Sequence, residues 1–178
     1  PRSSSAASDV YKRQELGDKL DLSVKTVTGK TLGECVKGAK NYNSDVIRTL
    51  DNPVYHEGSL AVLKGNLAPD GAVIKPAAMD PKFQKHRGPA IVANSYSELK
   101  EIINDENYPI TADHILVLRN AGPKGGPGMP EWGMIPMPKA LLKQGHRDMI
   151  RLSDARMSGT SYGACILHVA PEAYIGGP

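Results

Sequence analysis

Two short runs hold most of the side chains in this sequence that could do chemistry. The first, Asn120 to Glu131, packs four Gly and three Pro ahead of a single carboxylate. Glycine lets a backbone approach a ligand closely, and Glu131 at the end of such a loop is a hard oxygen donor suited to Mg²⁺, which needs few protein carboxylates. The competing reading is a rigid surface turn that ends in a solvated glutamate. The spacing matches neither a phosphate-binding G-x-x-x-x-G-K-[ST] loop nor a G-x-G-x-x-G turn. The second run, Ser153 to Gly163, sets Ser158, Thr160 and Ser161 beside glycines. That is a catalytic or oxyanion-binding turn, or an ordinary hydroxyl-rich turn capping the next element. Gly159-Thr-Ser-Tyr-Gly163 also has the form of a hydrolase nucleophile elbow with Ser161 as nucleophile. However, the only later histidine, His168, follows Ser161 by seven residues inside an expected strand, the wrong layout for a triad.

His168 alternates with apolar neighbours and reads as a hydrogen-bonded structural residue rather than a base. His56, His86, His114 and His146 show no metal-ligand spacing. Cys35 and Cys165 form no CxxC pair and no disulfide framework. Both are expected to be small buried packing residues of a protein kept in a reducing, cytoplasmic compartment.

The elements that must position these runs are short. Apolar stretches between turn signals predict strands over Leu60 to Leu63, Ala72 to Ile74, Ala90 to Ala93, Ile115 to Leu118, Met149 to Leu152 and Cys165 to Val169. Helices are expected over Leu32 to Lys40, behind a Thr31/Glu34 capping box, and over Ser97 to Asn104, with Leu99, Ile102 and Ile103 on one face. A third is expected over Pro138 to Gln144, with Pro in its first turn and Gly145 as its cap. The fold class is therefore mixed β/α. The Asn52-Pro53 break makes 15–58 the end of one domain and a linker, with 59–178 a second domain.

The chain of 178 residues is 40% hydrophobic with a formal charge of +3, enough for one core and too small for a multidomain enzyme. Its 18 Gly and 14 Pro mean many turns and disfavour long helical bundles. No apolar run nears the roughly 20 residues that span a bilayer, so a soluble protein without a membrane partner is expected. No Lys/Arg stripe with interleaved aromatics points to nucleic acid. Residues 1–14 have no apolar period and read as an adaptor-derived segment foreign to the fold, or alternatively as a native disordered terminus. The turn-forming Ile175-Gly-Gly-Pro178 suggests a fragment cut at both ends.

Three segments, Gly122 to Glu131, Leu152 to Ser161 and His168 to Glu172, together resemble the dihydroxy-acid and sugar-acid dehydratases. These are iron-sulfur lyases that include dihydroxy-acid, phosphogluconate and pentonate dehydratases. The likeness runs from about residue 15 to 178, and Met-Ser-Gly-Thr-Ser-Tyr-Gly is similar to the arabinonate- or xylonate-type branch. The resemblance implies a truncated, C-terminal, swivelling β-barrel-like domain preceded by the end of an α/β N-terminal domain. It also implies a 2Fe-2S cluster held by three cysteines of the missing N-terminal domain and Mg²⁺ held in part by Glu131. Ser158 would be the base and Thr160 a hydroxyl near a small sugar-acid substrate. No cluster ligand is expected here, so this chain alone should be inactive, and the full-length hydro-lyase would be a homo-oligomer. The resemblance leaves dihydroxy-acid dehydratase as one alternative and a standalone, non-catalytic binding domain as another.

Overall fold

The computed structural model describes residues 4–128, 130–157 and 162–178. The chain divides into two compact units, Pro1–Glu57 and Gly58–Pro178. The first contains helix α1, Ser4–Leu16, and the short helix α2, Leu32–Val36. Helix α1 falls mostly in the stretch that the sequence marks as foreign to the fold. It lacks an apolar stripe, but its run through Lys12, Arg13, Gln14, Glu15 and Leu16 is made of strong helix formers, and propensity supplies what periodicity does not. Helix α2 opens with the expected capping box: the Thr31 hydroxyl accepts from Glu34 N while the Glu34 carboxylate accepts from Thr31 N. It stops short of Lys40 because Lys37 turns extended and Gly38 takes a left-handed φ of 74°.

The second unit is built on one sheet: β1 Ala61–Gly65, β2 Ala68–Ile74, β3 Ala90–Ala93, β4 Ile115–Leu118, β5 Arg151–Ser153 and β6 Cys165–Ala170. The strand order is β1-β2-β6-β5-β4-β3. The four strands β3 to β6 run parallel, and β2 and β1 pair antiparallel on the β6 side. The expected mixed β/α class is what the structure shows. Two crossovers carry helices, α3 Tyr96–Asn104 between β3 and β4, and α4 Lys139–Lys143 between β4 and β5.

Ser95 caps α3 by accepting from Glu98 N, and Leu99, Ile102 and Ile103 all point into the core, as their spacing predicted. They pack with Ala93, Leu116, Leu118, Ile135, Leu141 and Met149. Leu99 is completely buried, and its truncation to Ala would cost about 2–5 kcal/mol. The opposite sheet surface is apolar too, with Val92, Val117, Leu152 and Val169 around a cavity of about 340 Å³. Among the described residues, no helix is long and apolar enough to cross a membrane.

Candidate active site

Strands β4 and β5 are parallel neighbours, so the segments that follow them leave the same end of the sheet. In α/β sheets the crevice outside the carboxyl ends of the strands is where ligands bind. One such segment carries the Gly/Pro run and Glu131; the other leads to Ser158.

The Gly/Pro run is closed onto its own protein. Asn120 sits at φ 61°, a conformation asparagine tolerates, and donates its side-chain amide to Asn94 O at 3.0 Å. The buried Asp154 carboxylate then accepts from Ala121 N at 2.9 Å through one oxygen and from Ala173 N at 2.9 Å through the other. The buried Glu172 carboxylate accepts from Lys124 N at 2.9 and 3.0 Å. A Cβ on Gly122 would fall 2.1 Å from Glu172 Oε2, and one on Gly125 would fall 2.5 Å from Asn120 O. These two glycines let the loop press on Glu172 and on itself, so their smallness serves packing rather than a ligand. Sequence reasoning missed Asp154 and Glu172, because a carboxylate reads by default as a solvated group.

Beyond the loop, Trp132 stacks on Tyr96, with centroids 5.0 Å apart and planes 7° from parallel. Gly133 N then donates to Arg156 O at 3.0 Å. This bond brings the segment of Glu131 against the one that runs on to Ser158. Glu131 itself is exposed, and among the described residues it makes no hydrogen bond or ion pair. Ser158, Thr160 and the alternative nucleophile Ser161 lie outside the described residues, between Met157 and Tyr162.

His168 departs from expectation. It lies on β6 but at φ 57°, its backbone N donates to Ala155 O at 3.2 Å, and its exposed ring makes no hydrogen bond among the described residues. The left-handed residue breaks the strand alternation that suggested a tied-down side chain. Partial burial, and then the positive charge of Arg156, push the imidazole below its ordinary pKa. His168, Arg156, Asp154 and Glu172 share a cleft of about 320 Å³.

The exposed carboxylate of Glu131 fits a single hard-cation ligand. Among the described residues, no group of three or more His, Cys, Asp or Glu could complete a metal site. The cysteines do not fit a cluster. Cys165 is buried, as expected, and burial pushes its thiol up, away from the thiolate that iron needs. Cys35 is exposed rather than packed, because α2 buries only Val36; its sulfur lies 3.7 Å from the Thr26 hydroxyl. Two thiols are also fewer than the three cysteines that the resemblance implies for the cluster.

Residues 45–178 match a family model described as dihydroxy-acid/6-phosphogluconate dehydratase C-terminal. The chain is 51% identical over 162 residues to 6-deoxy-6-sulfo-D-gluconate dehydratase of Pseudomonas putida, covering 89% of this chain and 28% of that protein. It is 53% identical over 153 residues to L-arabonate dehydratase of Azospirillum brasilense, covering 86% and 26%. Dihydroxy-acid dehydratase of Methanobrevibacter smithii is 46% identical over 163 residues, covering 92% and 29%. The chain thus spans little more than a quarter of the length of these curated relatives.

Proposed function

Because the chain belongs to the dihydroxy-acid and 6-phosphogluconate dehydratase family, its residues 45–178 matching the C-terminal part, we propose that it forms one side of a hydro-lyase site. The reaction is the dehydration of a sugar acid to a 2-keto-3-deoxy acid. A proton leaves C2 of the 2,3-dihydroxy acid, the C3–O bond breaks, and the resulting enol tautomerises to the ketone. The lost proton and hydroxide together make one water.

Ser158 takes the C2 proton, and Thr160 holds a substrate oxygen beside it. A neutral serine hydroxyl is a feeble base, so Ser158 needs positive neighbours that favour its alkoxide. Arg156, two residues earlier, is the nearest cation along the chain. Glu131 would hold Mg²⁺ as one ligand of a set completed by other groups, and the ion would supply Lewis acidity toward substrate oxygens. The reading draws most support from the hydrogen bond between Gly133, two residues after Glu131, and Arg156, two residues before Ser158.

The sugar-acid choice draws support from two relatives named for sugar acids at 51% and 53% identity. The 46% identical dihydroxy-acid dehydratase favours the second reading, a branched dihydroxy-acid substrate. A panel on a full-length protein containing this chain decides between them, with 2-keto acid formation as the readout. Turnover of aldonates and not of 2,3-dihydroxy-3-methylbutanoate is expected. The reverse preference would establish the second reading, and no turnover of either by a cluster- and Mg²⁺-loaded protein would make the domain a non-catalytic module.

A further inference from the structure

Arg151, at the start of β5, is 1% exposed. A guanidinium has five N–H donors in a rigid fork, and here they reach into different parts of the fold. Nη1 donates to Ile135 O at 2.8 Å. Nη2 donates to Tyr162 O at 2.7 Å and to Asp148 Oδ1 at 3.2 Å. Nε donates to Met149 O at 3.3 Å. Asp148, also buried, balances the charge and is itself held by Met149 N at 2.9 Å and Ala164 N at 2.9 and 3.1 Å. Ile135 comes four residues after Glu131, and Tyr162 four residues after Ser158.

We propose that Arg151 is a positioning residue whose fork locks Ile135, four residues after Glu131, to Tyr162, four residues after Ser158, so that Ile135 and Tyr162 shift as one body. The chemistry assigned to Glu131 and Ser158 rests on the proposed function, but the lock does not. Lysine could not replace it, since a single ammonium lacks the planar fork that serves separated acceptors at once. Gly163 belongs to the same device. A Cβ there would fall 2.2 Å from Arg151 Nη2 and 2.2 Å from Asp148 Oδ1. The last glycine of the apparent nucleophile elbow is therefore the space the clamp occupies.

Trp132 is the only tryptophan and adjoins Glu131, so its fluorescence reports on that segment, which Arg151→Lys reaches through Ile135 O and Gly163→Ala reaches only through the clamp. The test compares Arg151→Lys, Gly163→Ala and Gly145→Ala in this chain, by emission maximum and acrylamide quenching, with far-UV circular dichroism to verify folding. Gly145→Ala is the control: its φ of +86 imposes left-handed strain like that of Gly163 at +79, but in open space. Arg151→Lys and Gly163→Ala should each red-shift Trp132 and raise its quenching, and Gly145→Ala should do neither. An unshifted Trp132 in folded Arg151→Lys, or an equal shift in Gly145→Ala, overturns the clamp. If Gly163→Ala does not fold, Arg151→Lys decides, because it keeps the charge facing Asp148. A Lys variant that cannot fold would make Arg151 a core residue alone and also overturn the proposal. The functional reading fails separately, by absence of dehydratase turnover in the loaded full-length protein.

Discussion

Asp154→Asn is a sharp probe of the loop architecture, because the substitution preserves shape and changes one atom. Asp154 is 5% exposed and spends each carboxylate oxygen on a different amide, Ala121 N and Ala173 N, both at 2.9 Å. In asparagine one of those positions becomes an NH₂ facing an N–H. The chain loses one hydrogen bond to a charged acceptor, about 1.5–3 kcal/mol, and strands a buried donor, about 1–3 kcal/mol. The two losses overlap, so the net is about 2–4 kcal/mol. At roughly 4 °C per kcal/mol for a domain of this size, the melting temperature should fall by about 8–16 °C. Urea unfolding gives the free energy, and Asp70→Asn, at an exposed position, is the matched control expected within about 0.5 kcal/mol of wild type. Amide exchange locates the damage: Ala121 and Ala173 should lose protection while Leu116 and Leu118 keep theirs. An Asp154→Asn cost below about 0.5 kcal/mol would refute the claim that this carboxylate ties the loop to the turn after β6.

Gly122→Ala should destabilise by about 1–3 kcal/mol in the same unfolding assay, because its Cβ would overlap Glu172. A thiol-reactive dye should label exposed Cys35 at once and buried Cys165 only after denaturation; two equally fast thiols would contradict the burial of β6. For His168, burial and Arg156 lower the pKa in the folded chain, so across the interval from that lowered value up to about 6.5 the unfolded chain binds more protons. The His168 contribution is therefore complete above about pH 6.5 and lost as pH falls through the interval. An NMR titration should place its midpoint below that of a histidine in an unfolded peptide, and His168→Gln should flatten this part of the stability profile.

Where local chemistry decides, the sequence was readable. Strands β3 and β4 begin and end where their apolar runs do, and α3 buries the three residues its spacing selects, because each is set by contacts with a single adjoining layer. The Thr31 capping box was equally plain, since its partners lie three residues apart. The site was readable only as a list of parts. Ser158 and Glu131 stood out by motif, but what holds their segments is non-local: Arg151 reaches 16 residues back to Ile135 and 11 forward to Tyr162. Nothing in the local pattern separates a buried, fully partnered Arg, Asp or Glu from a solvated one. Helix α1 was not readable for the converse reason, since a helix carried by propensity leaves no apolar stripe to read and most of its residues read as foreign.

The most direct test of the central claim, that this domain brings the base to a dehydratase site, is turnover of Ser158→Ala in the full-length protein, measured beside Ser161→Ala with iron, sulfide and Mg²⁺ content determined for each. Removing a general base is worth roughly 10²- to 10⁴-fold, or about 3–5 kcal/mol of barrier. Ser158→Ala should lose at least that much with metal content unchanged, while Ser161→Ala keeps most of its activity. Retained turnover in Ser158→Ala, with loss in Ser161→Ala, would contradict the account.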